Sequence, residues 1–286
     1  MTTHTTAQGN DASSTDAADA DKALKAKHRT MWGLGDYPAV ATEVIASLGP
    51  VLVEACGVGP SDTVLDVGAG SGNVAIPAAR TGATVTASDL TPALLENGRL
   101  AAQAEGVTLE WEEGDAEHLP YDADAFDVVL SCVGVMFAPH HQESADEIVR
   151  VTRQGGRIGL LSWTPQGFIG QMFATMKPYA PPPPPGAQPP PLWGDEEHVR
   201  ALLGDRVRDV TATRQTLVVD RFSSGEEFRD FFKATYGPTI AVYAAIADEP
   251  GRVATLDAEL AELGRRYGAD TGRMEWEYLL LTARKA

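Results

Sequence analysis

The sequence predicts an α/β chain built on a doubly wound, mostly parallel sheet of seven strands, with an α-helical cap inserted late. Three observations carry this. Between residues 63 and 163, short apolar runs alternate with helix-length amphipathic segments. The first of those runs, Thr63–Val67, passes straight into a glycine-dense turn that opens a helix. Two more strand-like runs come late, one within 207–219 and one at Trp276–Ala283.

Each element has a local reason. Residues 1–21 are rich in Thr, Ser, Ala and Asp with almost nothing to bury, so they read as a disordered acidic tail. Residues 22–60 read as short helices: one near Asp21 carrying Leu24 and His28, one started by Pro38 with Val40, Val44, Ile45 and Leu48 on one face, and one running to Cys56 after the Gly49-Pro50 break. Residues 61–163 form the sheet core. A helix at Val74–Thr81 follows the first strand, and Thr84–Asp89 is the second. Thr91 and Pro92 open a helix that Gly106 stops. Val107–Glu113 alternates as a third strand, and Phe126–Ser131 is continuously apolar, as a strand buried on both faces must be. A helix over 143–152 ends at Gly155-Gly156, and Arg157–Trp163 is the fifth strand.

The alternation then stops. Residues 164–206 read as a proline-rich cap: an apolar stretch at 168–176, then prolines at 181–185 and 189–191, which admit only polyproline II or irregular backbone. Residues 207–286 complete the sheet and cap, with the capping box Ser224-x-x-Glu227 and a long helix bearing Val253, Leu256, Leu260 and Leu263.

Charge and cysteine usage exclude several roles. The 286 residues carry 23 Lys and Arg against 40 Asp and Glu, a net charge of −17 that repels nucleic acid and anionic membrane surfaces. Two cysteines, Cys56 and Cys132, make neither a disulfide framework nor a metal quartet, so no metal is expected. No apolar run reaches the length of a membrane span, and the N-terminus lacks the regions of a signal peptide. A cytoplasmic location is the expectation.

The turn after the first strand carries the chemistry. Gly68, Gly70 and Gly72 alternate, which lets the backbone fold tightly and approach a ligand, and the next helix aims its N-terminus at the same spot. A dinucleotide loop would read G-x-G-x-x-G, one residue longer than the spacing here. Asp66 precedes the turn, Asp89 ends the second strand 21 positions after Gly68, and Gly114-Asp115-Ala116-Glu117 closes the third. An acid at the second strand tip can accept both ribose hydroxyls of a nucleoside.

These residues resemble the motifs of class I S-adenosylmethionine-dependent methyltransferases, whose fold is Rossmann-like. Phe126–Cys132 is similar to the family's fourth strand and Leu119-Pro120-Tyr121 to its "LPF" turn. Ala145–Gly156 is similar to its "ALREIARVLRPGG" segment, with Gln154 where proline is usual. The resemblance covers about residues 60–163. It implies S-adenosylmethionine as cofactor, held by Asp66 and the loop Gly68, Ala69, Gly70, Ser71, Gly72 and Asn73, with Asp89 and Leu90 at the ribose. It places Asp115 on the adenine amino group with Ala116 and Glu117 beside it, and Ser131 at the methionine end. The motif loops offer carboxylates to the cationic sulfonium and no lysine.

On the acceptor side, His140-His141 follows the fourth strand; one of them is a candidate base, the competing reading being a solvated turn before a helix. Trp32 and Tyr37 lie in the N-terminal segment, which in this family often forms a lid, and with Phe137 and Trp163 they are candidates to line an acceptor pocket. The expected function is methyl transfer, by in-line displacement, to O, N, S or C of a small, largely apolar molecule. The expected partners are that acceptor and no nucleic acid or membrane, in a monomer or homodimer. An NAD(P)-dependent oxidoreductase on the same sheet plan and a non-catalytic S-adenosylmethionine-binding protein are the competing readings.

Overall fold

The structure, a computed structural model, describes residues 11–286, with side chains from residue 21 onward. Seven strands form one sheet in the order β3-β2-β1-β4-β5-β7-β6: β1 (Thr63–Val67), β2 (Thr84–Asp89), β3 (Glu110–Glu113), β4 (Phe126–Cys132), β5 (Thr152–Trp163), β6 (Val207–Val219) and β7 (Met274–Lys285). The first five strands run parallel, and β7 inserts antiparallel between β5 and β6. The winding reverses between β1 and β4, where a crevice opens beyond the carboxyl ends of the strands. All seven residues of β4 are buried, as its unbroken apolar run requires.

Several boundaries differ from the sequence reading. The third strand starts at Glu110, three residues later than read, and Pro190–Gly194 in the proline-rich cap forms a short 3-10 helix, since proline is tolerated in a first helical turn. Helix α1 runs Asp11–Trp32, so it begins inside the segment expected to be unstructured; its start is Ala-rich, and alanine favours helix above all other residues. The remainder of that tail, residues 1–10, lies outside the described residues. The Gly155-Gly156 pair sits within β5 instead of ending a helix, because α6 (His141–Val151) stops earlier. The ladder jumps there from Phe126↔Thr152 to Val128↔Arg157, and Gly155 takes φ +71° in the extra loop.

The remaining helices pack on both faces. On the N-terminal side α2 (Tyr37–Glu43) and α3 (Leu48–Ala55) press on the glycine turn: a Cβ at Gly49 would lie 1.7 Å from the Asn73 carbonyl oxygen. Helices α4 (Ala75–Arg80) and α5 (Pro92–Ala104) flank β1 to β3. Over the antiparallel half lie α7 (Phe168–Met176), α9 (Gly225–Thr235), α10 (Gly237–Ala245) and α11 (Pro250–Arg266), with α8 (Glu196–Leu203) beside α6. An aromatic cluster joins them to the sheet: Phe168 stacks on Trp276 with centroids 4.9 Å apart and meets Phe228 edge-on at the same distance. The capping box is present but shifted. Ser224 Oγ accepts the Glu227 N–H at 3.1 Å, while the Glu227 carboxylate turns to the Ser223 N–H at 2.8 Å. Cys56 and Cys132 are buried free thiols. Among the described residues no single helix is long and apolar enough to cross a membrane.

Candidate active site

The carboxyl edge of the sheet holds a cleft-like cavity of about 670 Å³, its solvent-open mouth included. Its floor is the tips of β1, β2 and β3, its far wall the segment after β4, and its roof the inner face of α1. Gly68 and Gly70 line it with φ of +69° and +56°, a backbone shape that disfavours side chains. A Cβ on Gly68 would come within 2.9 Å of the Gly134 backbone, and one on Gly70 within 3.3 Å of the Tyr37 ring. The loop therefore presents bare backbone to the cavity.

Asp89 shapes that loop directly. Its Oδ2 accepts the Gly70 N–H at 2.8 Å and its Oδ1 accepts the Thr91 N–H at 2.8 Å. Burial raises its pKa, and these backbone donors oppose the rise. A carboxylate has about four lone-pair sites, so two remain for a ligand. Leu90, Asp115 and Ala116 line the same cavity, as the sequence reading expected.

The other residues expected to hold the cofactor lie behind the lining and hold the loop in place. Asp66 is fully buried; its Oδ2 accepts the Ala75 N–H at 3.0 Å, tying β1 to the start of α4. Burial pushes this carboxyl up to about 7, with the Ala75 N–H pulling the other way. Asn73 donates its side-chain amide to the Ile45 carbonyl at 3.3 Å. Gly72 turns away from the cavity and makes room for Trp111, whose ring would stand 2.7 Å from a Cβ there. Ser131 donates to the Val67 carbonyl at 2.6 Å and accepts the Val135 N–H at 2.9 Å, so it ties the tips of β1 and β4 together. Ala69 and Ser71 belong to the loop but not to the lining. Glu117 is buried beneath Asp115 and engages Lys25 and His140.

The two histidines are not brought to the cavity. His140 Nδ1 stands 3.0 Å from Glu117 Oε2, and its Nε2 edge faces Gly186 in the proline-rich segment. His141 is fully buried, its Nδ1 3.0 Å from His198 Nε2 and its ring 5.5 Å from Trp193. Burial, with His198 and His140 nearby, pushes its pKa down to about 4. Neither ring lines the cavity or the chamber beyond it, so the base role read from their position after β4 has no geometric footing.

A second, tightly walled chamber lies beyond Tyr37, Val133 and Phe137, which line both spaces. Its remaining walls are Val40, Ile45, Trp163, Ile169, Phe232, Tyr236 and Trp276, with no Asp, Glu, His, Lys or Arg among them. Three of the four expected acceptor residues, Tyr37, Phe137 and Trp163, are here. The fourth, Trp32, stands at the junction, with ring centroids 4.7 Å from Phe137 and 5.5 Å from Tyr37. Burial raises the Tyr37 and Tyr236 hydroxyls above the ordinary phenol range, so neither ionises near neutrality. The Trp276 Nε1 donor is buried without a partner.

Comparison with known proteins decides the family. A methyltransferase-domain family model matches residues 65–160, the stretch from β1 to β5 that builds the cavity floor. The chain carries a methyltransferase domain of the class I, S-adenosylmethionine-dependent kind. An uncharacterized protein of Mycobacterium tuberculosis is 55% identical over 258 residues, covering 90% of this chain and 94% of that one. The ubiquinone/menaquinone biosynthesis C-methyltransferase of Zymomonas mobilis is 30% identical over 175 residues, 61% of this chain and 66% of the relative. Among solved structures, the YcgJ protein of Bacillus subtilis superposes with a TM-score of 0.58 at 19% identity, covering 84% of this chain and 97% of that one. A geranyl diphosphate methyltransferase in complex with S-adenosylmethionine gives a TM-score of 0.51 at 19% identity, covering 84% and 85%. These structural likenesses share the methyltransferase fold.

The sequence reading missed Lys25 and His28 in the cavity roof, and Phe232, Tyr236 and Trp276 in the chamber. Trp276 opens the last apolar strand, and the antiparallel pairing of that strand with β5 puts its ring near the carboxyl end of β5. Nothing in the sequence singles out Lys25.

Proposed function

We propose that the chain transfers a methyl group from S-adenosylmethionine to a small, largely apolar molecule held in the aromatic chamber. The observation that carries this reading is the continuity of the two spaces. A cavity with a bare glycine loop and two strand-tip carboxylates, Asp89 and Asp115, adjoins an uncharged chamber through Tyr37, Val133 and Phe137.

The residues fit the cofactor. The Gly68–Gly70 cradle is one that a Cβ would fill, which suits an amino-acid moiety against backbone. Asp89 keeps two lone pairs for a ribose diol, and Asp115, which already accepts from Lys25 and the Glu117 N–H, keeps one on Oδ2 for an exocyclic amine. The rings of Trp32, Tyr37 and Phe137 offer π faces and edges where the two spaces meet, compatible with a cation. When bound, the cofactor supplies an electrophilic methyl carbon on a positively charged sulfur.

The chain's own contribution is to bind, align and keep out water. The Asp89–Gly70 bond fixes the loop against the β2 tip, and the aromatic walls orient a flat or branched apolar acceptor. Alignment alone can supply several kcal/mol of acceleration, roughly 7–11 in the best model reactions. No wall residue of the chamber accepts a proton near neutrality, so the acceptor atom must be nucleophilic without help from a side-chain base. Incubation with methyl-labelled cofactor and a panel of phenols, thiols, amines and quinones, scored by product mass, tests the reading. Release of labelled product from at least one apolar acceptor supports it; cofactor binding with no product from any would favour the non-catalytic alternative.

A further inference from the structure

Helix α1 roofs the cofactor cavity, and one of its side chains reaches the floor. The Lys25 ammonium donates to both oxygens of Asp115, at 3.0 and 2.7 Å, and to Glu117 Oε2. Asp21 Oδ1, one turn earlier on α1, lies 3.6 Å from the same nitrogen. This is not a surface pair. Lys25 is 8% exposed and Glu117 2%, and Glu117 is held in turn by the His140 N–H at 2.7 Å. Burial pulls the ammonium toward its neutral form, but the hydrogen bonds it donates to Asp115 and Glu117, with their negative charge, outweigh that, so its pKa rises above the ordinary lysine range.

The far end of α1 is fixed differently. A Cβ on Gly237 would lie 2.3 Å from the Met31 carbonyl oxygen, so α10 packs directly on the end of α1. The chain then turns through Gly33-Leu34-Gly35, with Gly35 at φ +70°, and the Asp36 N–H donates to the Thr235 carbonyl at 3.1 Å. The carboxyl end of α1 is thus anchored next to a glycine-flanked turn, and the stretch around Lys25 is held by buried charge. In the last turn of α1, Arg29 adds an exposed contact to Glu113 and a 3.0 Å bond to the Leu90 carbonyl.

We propose that Lys25 is a positioning residue that latches α1 over the cavity, so that cofactor loading and release require rupture of the Lys25–Asp115–Glu117 cluster. The identity of the ligand rests on the methyltransferase reading; the latch itself does not. Asp115 accepts from Lys25 on both oxygens and from the Glu117 N–H on Oδ1, which leaves a lone pair on Oδ2 for an adenine amine, so the latch can close over a filled cavity. The lysine's charge is matched by two carboxylates and leaves no net positive charge to oppose a sulfonium. Breaking a buried pair leaves an uncompensated charge, a far larger effect than losing an exposed pair such as Arg29–Glu113.

Hydrogen exchange across residues 22–32 of the ligand-free protein tests this directly. Lys25→Met keeps the aliphatic stem and removes the charge; exchange there should quicken at least about tenfold, while Lys25→Arg stays near the parent. Asp115→Asn breaks the same cluster from the floor and should quicken the same amides. Equal exchange in Lys25→Met and the parent overturns the proposal, and if Lys25→Met does not fold, equal exchange in Asp115→Asn does so. Stopped-flow Trp32 fluorescence with S-adenosylmethionine gives the functional arm. The association rate should reach a plateau in the parent and a plateau about tenfold higher in Lys25→Met; identical plateaus overturn the gating role. A parent protein with protected α1 amides but no response to S-adenosylmethionine contradicts the cofactor assignment and leaves the latch standing.

Discussion

Asp89 holds the Gly70 N–H at 2.8 Å, so the acid at the tip of β2 and the turn at the tip of β1 are one unit. The carboxylate that faces the cavity also fixes the shape of the loop that floors it. Asp89→Ala should therefore weaken S-adenosylmethionine binding by more than about 1.4 kcal/mol, or tenfold in Kd, through loss of a charge-assisted bond and of loop order. Calorimetric titration checks this. Unchanged affinity would remove Asp89 from the ribose site.

Gly68 sits at φ +69° with the Gly134 backbone 2.9 Å from where a Cβ would be. Gly68→Ala should cost about 1–3 kcal/mol of stability from backbone strain and displacement of the post-β4 segment. It should lose cofactor binding more completely than Asp89→Ala does, because the cradle itself closes. A melting curve and a titration on the same sample separate the two effects.

The chamber and the cofactor cavity should respond separately. Trp163 lines only the chamber, meeting Trp276 at 5.9 Å between centroids. Trp163→Phe should raise the acceptor KM and leave the cofactor Kd within twofold or so, since the removed ring atoms touch only the acceptor side. An equal loss in both would show that the spaces are not functionally distinct.

His141 provides a pH test. Its pKa falls to about 4 in the folded chain, against an ordinary value of 6.5. The unfolded chain binds this proton first as pH drops, so stability is unaffected above 6.5 and declines as pH falls from there toward 4. The size is no more than about 3 kcal/mol, shared with its partner His198, which is also depressed by burial. In His141→Asn that part of the decline should disappear from denaturation midpoints measured across this range, while turnover at neutral pH persists. Loss of turnover with stability intact would restore the histidine to the mechanism.

The sheet was legible because its signals are local. Apolar runs, the Pro92 start and the Gly106 stop each act over a few residues, and all seven strands overlap the runs read for them, with β5 beginning five residues earlier and β3 three later. The cofactor-side strand tips followed from the same order, with Asp89 and Asp115 at the cavity. Spacing could not separate residues that face the ligand from residues that brace the loop. Asp66 and Asn73 share a motif with Gly68, and Ser131 belongs to the fourth-strand motif, yet all three spend their hydrogen bonds on Ala75, Ile45, Val67 and Val135. His140 and His141 follow β4 as expected, but α8 and the proline-rich segment cover them, and that packing depends on residues more than 40 positions away. Lys25 reaches Asp115 across 90 positions, a contact that no local pattern encodes. The aromatic chamber likewise assembles from α2, β5, α9 and β7.

The most direct measurement is a crystal of the protein soaked or grown with S-adenosylmethionine. Density for the nucleoside is expected between Asp89 and Asp115, with the amino-acid part against Gly68 and Gly70 and the methyl group directed past Tyr37 into the chamber. Density elsewhere, or an empty cavity at saturating ligand, contradicts the assignment.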